Sequence, residues 1–525
     1  MSDTPAVRPE YNTRFLWSIC LVAAMGGLLF GYDWVVIGGA KPFYEPYFEI
    51  TDSPNLQGLA MSTALIGCIF GALLSGVLSD RFGRKRLLIL SGLLFTSSAV
   101  WTAMSADFLS FNLARVLGGL GIGLASNLSP MYIAEIAPAE SRGRFVSINQ
   151  LTIVIGILAA QIVNWMIAAP VPSVDEVRAL VRSESQTASV PVEEEAIEAV
   201  RRALFQIRII QLDDNANKDK REAKSDEDTA IMATYLRATW NGTIGWRWMF
   251  GAETVPAFLF FLLMLFVPES PRWLVKNGRD EQAGWILARV GGEEYAAFEV
   301  NDIKATIASE EVVHVRFSDL LEPKLSRVVI LGVFLAVFQQ WCGINVIFNY
   351  AQEVFQAAGY EVGNLMFNIV VTGVVNLVFT FVAIFTVDRL GRRPLMLMGS
   401  AGLAGIYAVL GTAYFLQSTG VHMLILVVTA IACYSMSLAP ITWVVISEIF
   451  PNRIRGAAMS VAVLSLWIAC TILAFTFPLL NDALGAHGAF WLFGVISVLG
   501  FVVIYWHLPE TKGKSLEDIE RELVD

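Results

Sequence analysis

Charged side chains are scarce in this sequence. Asp, Glu, Lys and Arg make up 16% of its 525 residues, where a soluble domain carries about 25%, and that scarcity sets the chain outside the globular class. Histidine is rarer still. His314, His422, His487 and His507 are scattered, so no metal site is expected from ligands at workable spacing. No Gly-rich phosphate loop is present, no nucleophile and base stand where an embedded enzyme would need them, and no cofactor is expected. The five cysteines (Cys20, Cys68, Cys342, Cys433 and Cys470) all fall inside apolar runs. That excludes a disulfide framework and leaves them as small packing residues. The net charge of −10 lies largely in polar loops rather than in one patch, and no nucleic-acid partner is expected.

What the chain has in abundance is apolar sequence: 55% of its residues are hydrophobic and its mean hydropathy is +0.58. A helix needs about 20 mostly apolar residues to cross a hydrocarbon core. Twelve such runs stand at roughly 15–39, 57–79, 87–104, 109–133, 148–169, 247–267, 328–352, 364–387, 395–416, 422–447, 457–479 and 488–507. Backbone at membrane depth must satisfy its own hydrogen bonds. The expected fold is therefore an all-α membrane protein of twelve transmembrane helices, with the lipid bilayer as its surroundings. Lys and Arg orient it. Of the 37, 24 fall in segments on the side of the two termini, and the short loops of the other side hold only Lys41. Both termini are expected in the cytoplasm. The first run is too long for a cleavable signal and is retained.

The two halves repeat. Asp80-Arg-Phe-Gly-Arg-Lys85 follows the second run and Asp388-Arg-Leu-Gly-Arg-Arg393 the eighth. Glu135-Ile-Ala-Pro138 with Arg142-Gly143 follows the fourth, and Glu448-Ile-Phe-Pro451 with Arg455-Gly456 the tenth. Pro268-Glu269-Ser270 and Pro509-Glu510-Thr511 close the sixth and the twelfth. Three pairs in the same order point to duplication of a six-helix unit.

Together with Gly27-Leu-Leu-Phe-Gly-Tyr-Asp33, Pro268-Glu-Ser-Pro-Arg-Trp273, and Gln339-Gln340 with Gly343-Ile-Asn345, these motifs resemble the sugar porter family of the major facilitator superfamily. The resemblance covers nearly the whole chain and is nearest to bacterial xylose–proton symporters. It implies the major facilitator fold: a half over 1–267, a cytoplasmic linker with short helices over 268–327, and a half with a short tail over 328–525. Such folds hold their site near the midplane. The function implied is proton-coupled symport of a hexose or pentose by alternating access, in a monomer of the cell (inner or plasma) membrane. A facilitative uniporter and a non-transporting sugar sensor share the fold and stay open as readings.

Asp33 in the first run and Arg115 in the fourth are charges at membrane depth, each costing about 2.5–3.5 kcal/mol on insertion scales. Asp33 is read as the lone intramembrane acid, opposite Arg115. The pair is either a structural tie or a switch, in which opening the outer pathway lets Asp33 take a proton and frees the arginine. The resemblance favours the switch, because proton-coupled sugar porters carry aspartate in this Gly-Tyr-Asp motif where facilitative glucose carriers have asparagine. Gln339, Gln340 and Asn345 gather near one face of the seventh run, and carboxamides offer both donors and acceptors to sugar hydroxyls. By position, Phe30, Trp443 and Trp467 resemble the family's sugar-contacting aromatics, and Asn376 is a further polar candidate. Against xylose–proton symporters the chain departs at three places: Ile157 and Leu466 stand for glutamines and Asn349 for a tyrosine. Arg84, Glu135 and Arg142, with Arg392, Glu448 and Arg455, resemble the family's cytoplasmic latch, whose ion pairs close the inner side; Glu269 and Glu510 join it.

Two regions break the rhythm. Inside, Asp280–Val290 and Phe317–Leu325 are amphipathic, and a short capped helix is expected from Ser515. Outside, 170–246 is longer than the resemblance explains. Ser173 with Glu176 predicts a capping box, Glu193–Ile210 a second helix, and the charged stretch Asp213–Asp228 a flexible segment. Asn241-Gly-Thr243 is a glycosylation sequon.

Overall fold

The computed structural model describes residues 11–182, 193–214, 220–310, 320–360, 362–451, 454–512 and 514. The expected helix from Ser515 and residues 317–319 of the second inner piece lie outside them. Five helices open the chain: α1 (Thr13–Tyr47), α2 (Pro54–Phe82), α3 (Arg84–Met104), α4 (Phe108–Ile136) and α5 (Arg142–Ile167). Three further helices follow in the insertion: α6 (Val174–Arg182), α7 (Glu194–Asp214) and α8 (Lys220–Ala238). A π-turn over Asn241–Gly245, α9 (Trp246–Gly251) and α10 (Thr254–Phe266) make the sixth crossing. Then come α11 (Pro271–Lys276), α12 (Asp280–Gly291) and α13 (Glu293–Glu310).

The seventh crossing is broken into α14 (Pro323–Trp341), α15 (Ile344–Asn349) and α16 (Ala351–Ala357). Gly343 makes the first break in a left-handed conformation at φ 88°, which glycine adopts without a Cβ clash. The rest is α17 (Val362–Leu390), α18 (Arg392–Phe415), α19 (Val421–Met436), α20 (Leu438–Ile449) and α21 (Arg455–His507). Among the described residues, 11 segments are long and apolar enough to cross a membrane, the last with 53 residues. Gly485, at φ 66° and ψ 170°, divides that last one, so the twelve expected crossings are there.

Close packing needs small residues where helices cross. A Cβ on Gly31 would come 1.9 Å from the Ile153 carbonyl oxygen, and one on Gly156 2.0 Å from that of Leu28, so α1 and α5 meet backbone to backbone. Taking the basic face as inner, contacts between the halves gather from the middle outward. They join α2 to α21, α5 to α17, and α1 to α15 and α16. Gly38 lies against the carbonyls of Phe348 and Asn349, and Gly58 against that of Phe475. The molecule is closed at its outer face.

Beneath the N-terminal half, α11–α13 are fastened to the inner loop. Trp273 donates through Nε1 to the Asp80 carbonyl at 2.9 Å, and Lys276 pairs with the Asp80 carboxylate at 3.0 Å. Outside, the capping box is formed: the Ser173 amide donates to Glu176 at 2.9 Å and the Glu176 amide to Ser173 Oγ at 3.2 Å. The stretch Asp213–Asp228 is not a flexible segment throughout, because α8 runs from Lys220. Lys, Glu and Ala are good helix formers, and Arg178 on α6 holds Asp228 at 2.6 Å. The insertion then docks on the N-terminal half, where α8 packs on α1 and Arg237 pairs with Glu49.

Asn241 of the sequon is 2% exposed; its amide donates to the Ala169 carbonyl and accepts from the Ala169 amide. One further expectation is corrected. Lys41 is not in a loop. It lies in α1 and is fully buried.

Candidate functional site

Two polar centres face each other across the halves. In the N-terminal half, α1 carries Asp33 and α4 carries Arg115, each 2% exposed. Arg115 ion-pairs with the Asp33 carboxylate, donates to the Asp33 carbonyl at 3.2 Å, and lies 5.3 Å from the Phe250 ring. Asp33 is not a lone acid. Glu253, at the start of α10, is 3% exposed and lies near enough to Asp33 and Arg115 to feel both charges. The signal was present as an acid inside the sixth apolar run, but nothing local says which helices it faces. Two carboxyls and one guanidinium thus share a buried site.

In the C-terminal half the broken seventh crossing carries neutral amides. Gln340 donates to Gln339 Oε1 at 3.4 Å, and Asn345 donates to Gln340 Oε1 at 2.6 Å. Gln339 in turn donates to the Ala439 carbonyl on α20 at 3.2 Å, so one end of this chain of amides also ties two helices. A turn beyond, Asn349 and Asn345 line a small cavity with Tyr350, Cys470 and Leu473. Asn349 Oδ1 is a buried acceptor without a hydrogen-bond partner among the described residues. Asn376 on α17 stands apart from this run and accepts from Ser435 Oγ at 2.6 Å.

Aromatic rings join the centres. Phe30 and Trp34 are one turn apart on α1 and both meet Trp467 of α21, with centroids 5.8 and 6.1 Å away. Trp34 was missed in sequence because no motif marks it. Trp443 on α20 is half-buried and makes no ring contact among the described residues.

The inner face carries the repeated motifs as two frames. Arg84 grips Glu135 with Nε and Nη2, both at 3.0 Å, and Arg392 reaches Glu448 at 3.3 Å. Glu269 accepts from the amides of Arg84 and Lys85 at the start of α3, and Glu510 from those of Arg392 and Arg393 at the start of α18. A carboxylate is favoured at a helix N-terminus, where amides point outward and the dipole is positive. The two ion pairs each join different helices of the same half, as expected of pairs that cross between helices. Arg142 is exposed and faces Glu299 and Tyr295 of α13. Burial pushes the Glu299 carboxyl up, and Arg142 opposes that. Arg455 donates to the Phe450 carbonyl at 3.1 Å.

Known proteins are similar to nearly the whole of this chain. The profile of the family described as Sugar (and other) transporter matches residues 19–175 and 229–523, leaving out most of the insertion. The D-xylose-proton symporter of Escherichia coli (strain K12) is 36% identical over 97% of this chain and 96% of its own. The arabinose-proton symporter of Bacillus subtilis (strain 168) is 35% identical over 99% and 97%. Among solved structures, a partially occluded inward open conformation of the E. coli xylose transporter XylE is similar at a TM-score of 0.74 and 34% identity, covering 96% of this chain and 100% of that one. The chain belongs to the sugar transporter family of the major facilitator superfamily.

Proposed function

We propose that the chain is a secondary active transporter of the plasma membrane, carrying a hexose or pentose together with a proton by alternating access. The reading assigns it no catalytic chemistry and takes it as a monomer. Its halves are 1–267 and 328–525, joined by 268–327. The observation that carries it is the buried trio of Asp33, Arg115 and Glu253. With all three ionised the trio is one negative charge in excess, and a single proton makes it neutral. Burying an uncompensated charge costs several kcal/mol, roughly, so the site favours taking a proton whenever a water path reaches it. One proton shared by the two carboxyls leaves a single carboxylate to balance Arg115.

Sugar binding is assigned to Gln339, Gln340, Asn345, Asn349 and Asn376, with Phe30, Trp443 and Trp467 offering ring faces. The amides present donors and acceptors from a broken helix at mid-membrane, as transporter sites of this architecture do. Arg84, Glu135, Arg142, Arg392, Glu448 and Arg455 frame the inner gate. The test is uptake of labelled xylose, arabinose and glucose into reconstituted vesicles, with and without an inward proton gradient. Symport predicts accumulation of at least one sugar above its outside concentration only with the gradient. Equilibration that ignores the gradient would make the chain a uniporter.

A further inference from the structure

A second cluster of buried charge sits where the halves meet at the outer face, and neither proposed centre uses it. Lys41 is fully buried near the end of α1. Its ammonium pairs with Glu353 on α16, in the other half, and stands 3.4 Å from Glu45, one turn on along its own helix. The same ammonium lies 4.5 Å from the ring centroid of Tyr350, whose hydroxyl donates to the Ala474 carbonyl on α21. Tyr350 also lines the small cavity of Asn345, Asn349 and Cys470. Glu45 is 3% exposed, while the Glu353 side chain keeps 22% of its surface.

The two acids are therefore unequal. Glu45 is fixed to the lysine by the helix, whereas Glu353 reaches it only while the halves touch. Both segments are built to bend. Pro42 and Pro46 lie inside the outer end of α1, where each removes a backbone donor, and α16 is separated from α14 by two breaks.

We infer that Lys41 locks the outer gate by holding two carboxylates, one of which it gives up on opening. With the gate shut it bridges Glu353 across the halves. When α16 swings away, Glu353 passes into water and Glu45 keeps the lysine neutralised. A buried lysine without any partner is costly, so Glu45 lowers the barrier to opening while Glu353 stabilises closure. The inference rests on alternating access but not on the identity of the sugar or on proton coupling.

The test uses Cys470 as the reporter, in the full chain with its other four cysteines replaced by alanine, in right-side-out vesicles without sugar or pH gradient. A membrane-impermeant methanethiosulfonate reaches Cys470 from outside only when the gate opens, and labelling is normalised to total thiol after denaturation. Glu353→Gln should speed labelling about tenfold, in keeping with the loss of one buried charge partner. Glu45→Gln should leave labelling unchanged or slower, because the lysine is then held by Glu353 alone. Equal labelling of Glu353→Gln and the parent, or acceleration by Glu45→Gln as large as by Glu353→Gln, would overturn the lock. Because no transport is measured, either result stands apart from the test of symport.

Discussion

At the inner face the two halves are near copies, and at mid-membrane they are not. Gly83 at φ 95° and Gly391 at φ 90° turn the chain into α3 and α18, and Glu269 and Glu510 satisfy the first amides of those helices. A positive φ and an unpaired helix N-terminus pose the same problem in both places and have received the same answer. At mid-membrane the N-terminal half has Asp33, Arg115 and Glu253, whereas the C-terminal half has Gln339, Gln340 and Asn345. Carboxylates change charge when they take a proton, while carboxamides keep their donors and acceptors at every working pH. On the proposed reading the two halves share a scaffold and each takes one kind of chemistry.

That division is broken most severely by Asp33→Asn. It should reduce sugar accumulation driven by a pH gradient to the level of protein-free vesicles, while exchange at equal pH continues. Counterflow of labelled sugar beside uphill uptake checks both. Gln340→Ala should do the reverse, weakening sugar binding roughly ten- to a hundred-fold, at about 1–3 kcal/mol for each bond lost or left unmet. Fluorescence titration reads it, and the protonation of Asp33 should be untouched.

A smaller effect is expected from Leu466→Gln. Leu466 is buried next to Trp467, and an amide there offers a hydroxyl partner worth about 1 kcal/mol, so xylose or glucose should bind roughly fivefold tighter. Tight xylose binding by the unmodified protein, indifferent to this change, would move the pocket elsewhere. Arg237→Ala should alter transport by less than about twofold, since exposed ion pairs are worth about 0–1 kcal/mol and Arg237 with Glu49 ties the insertion to one half only.

The sequence revealed what depends on local composition and withheld what depends on distant partners. Twelve crossings were legible because length and hydropathy decide them, and even the division of α21 showed as two apolar runs. Lys41 was misread as a loop residue because the lysine before Pro42 looks like the end of a helix. What keeps it inside is Glu353, 312 residues away, and no local signal announces that. Glu253 was overlooked for the same reason, since its partners sit on α1 and α4. The charged run of α8 resembles a flexible linker until Arg178 and Glu49 are seen to hold it.

In the proposed mechanism sugar and proton move together because Asp33 takes a proton while the amides hold the sugar. Adding a transported sugar to right-side-out vesicles in weakly buffered medium, without an imposed gradient, tests it directly. Symport through Asp33 predicts alkalinisation of the medium in step with sugar entry, absent in Asp33→Asn although labelled sugar still enters. Sugar entry with no change in outside pH in the unmodified protein would contradict it.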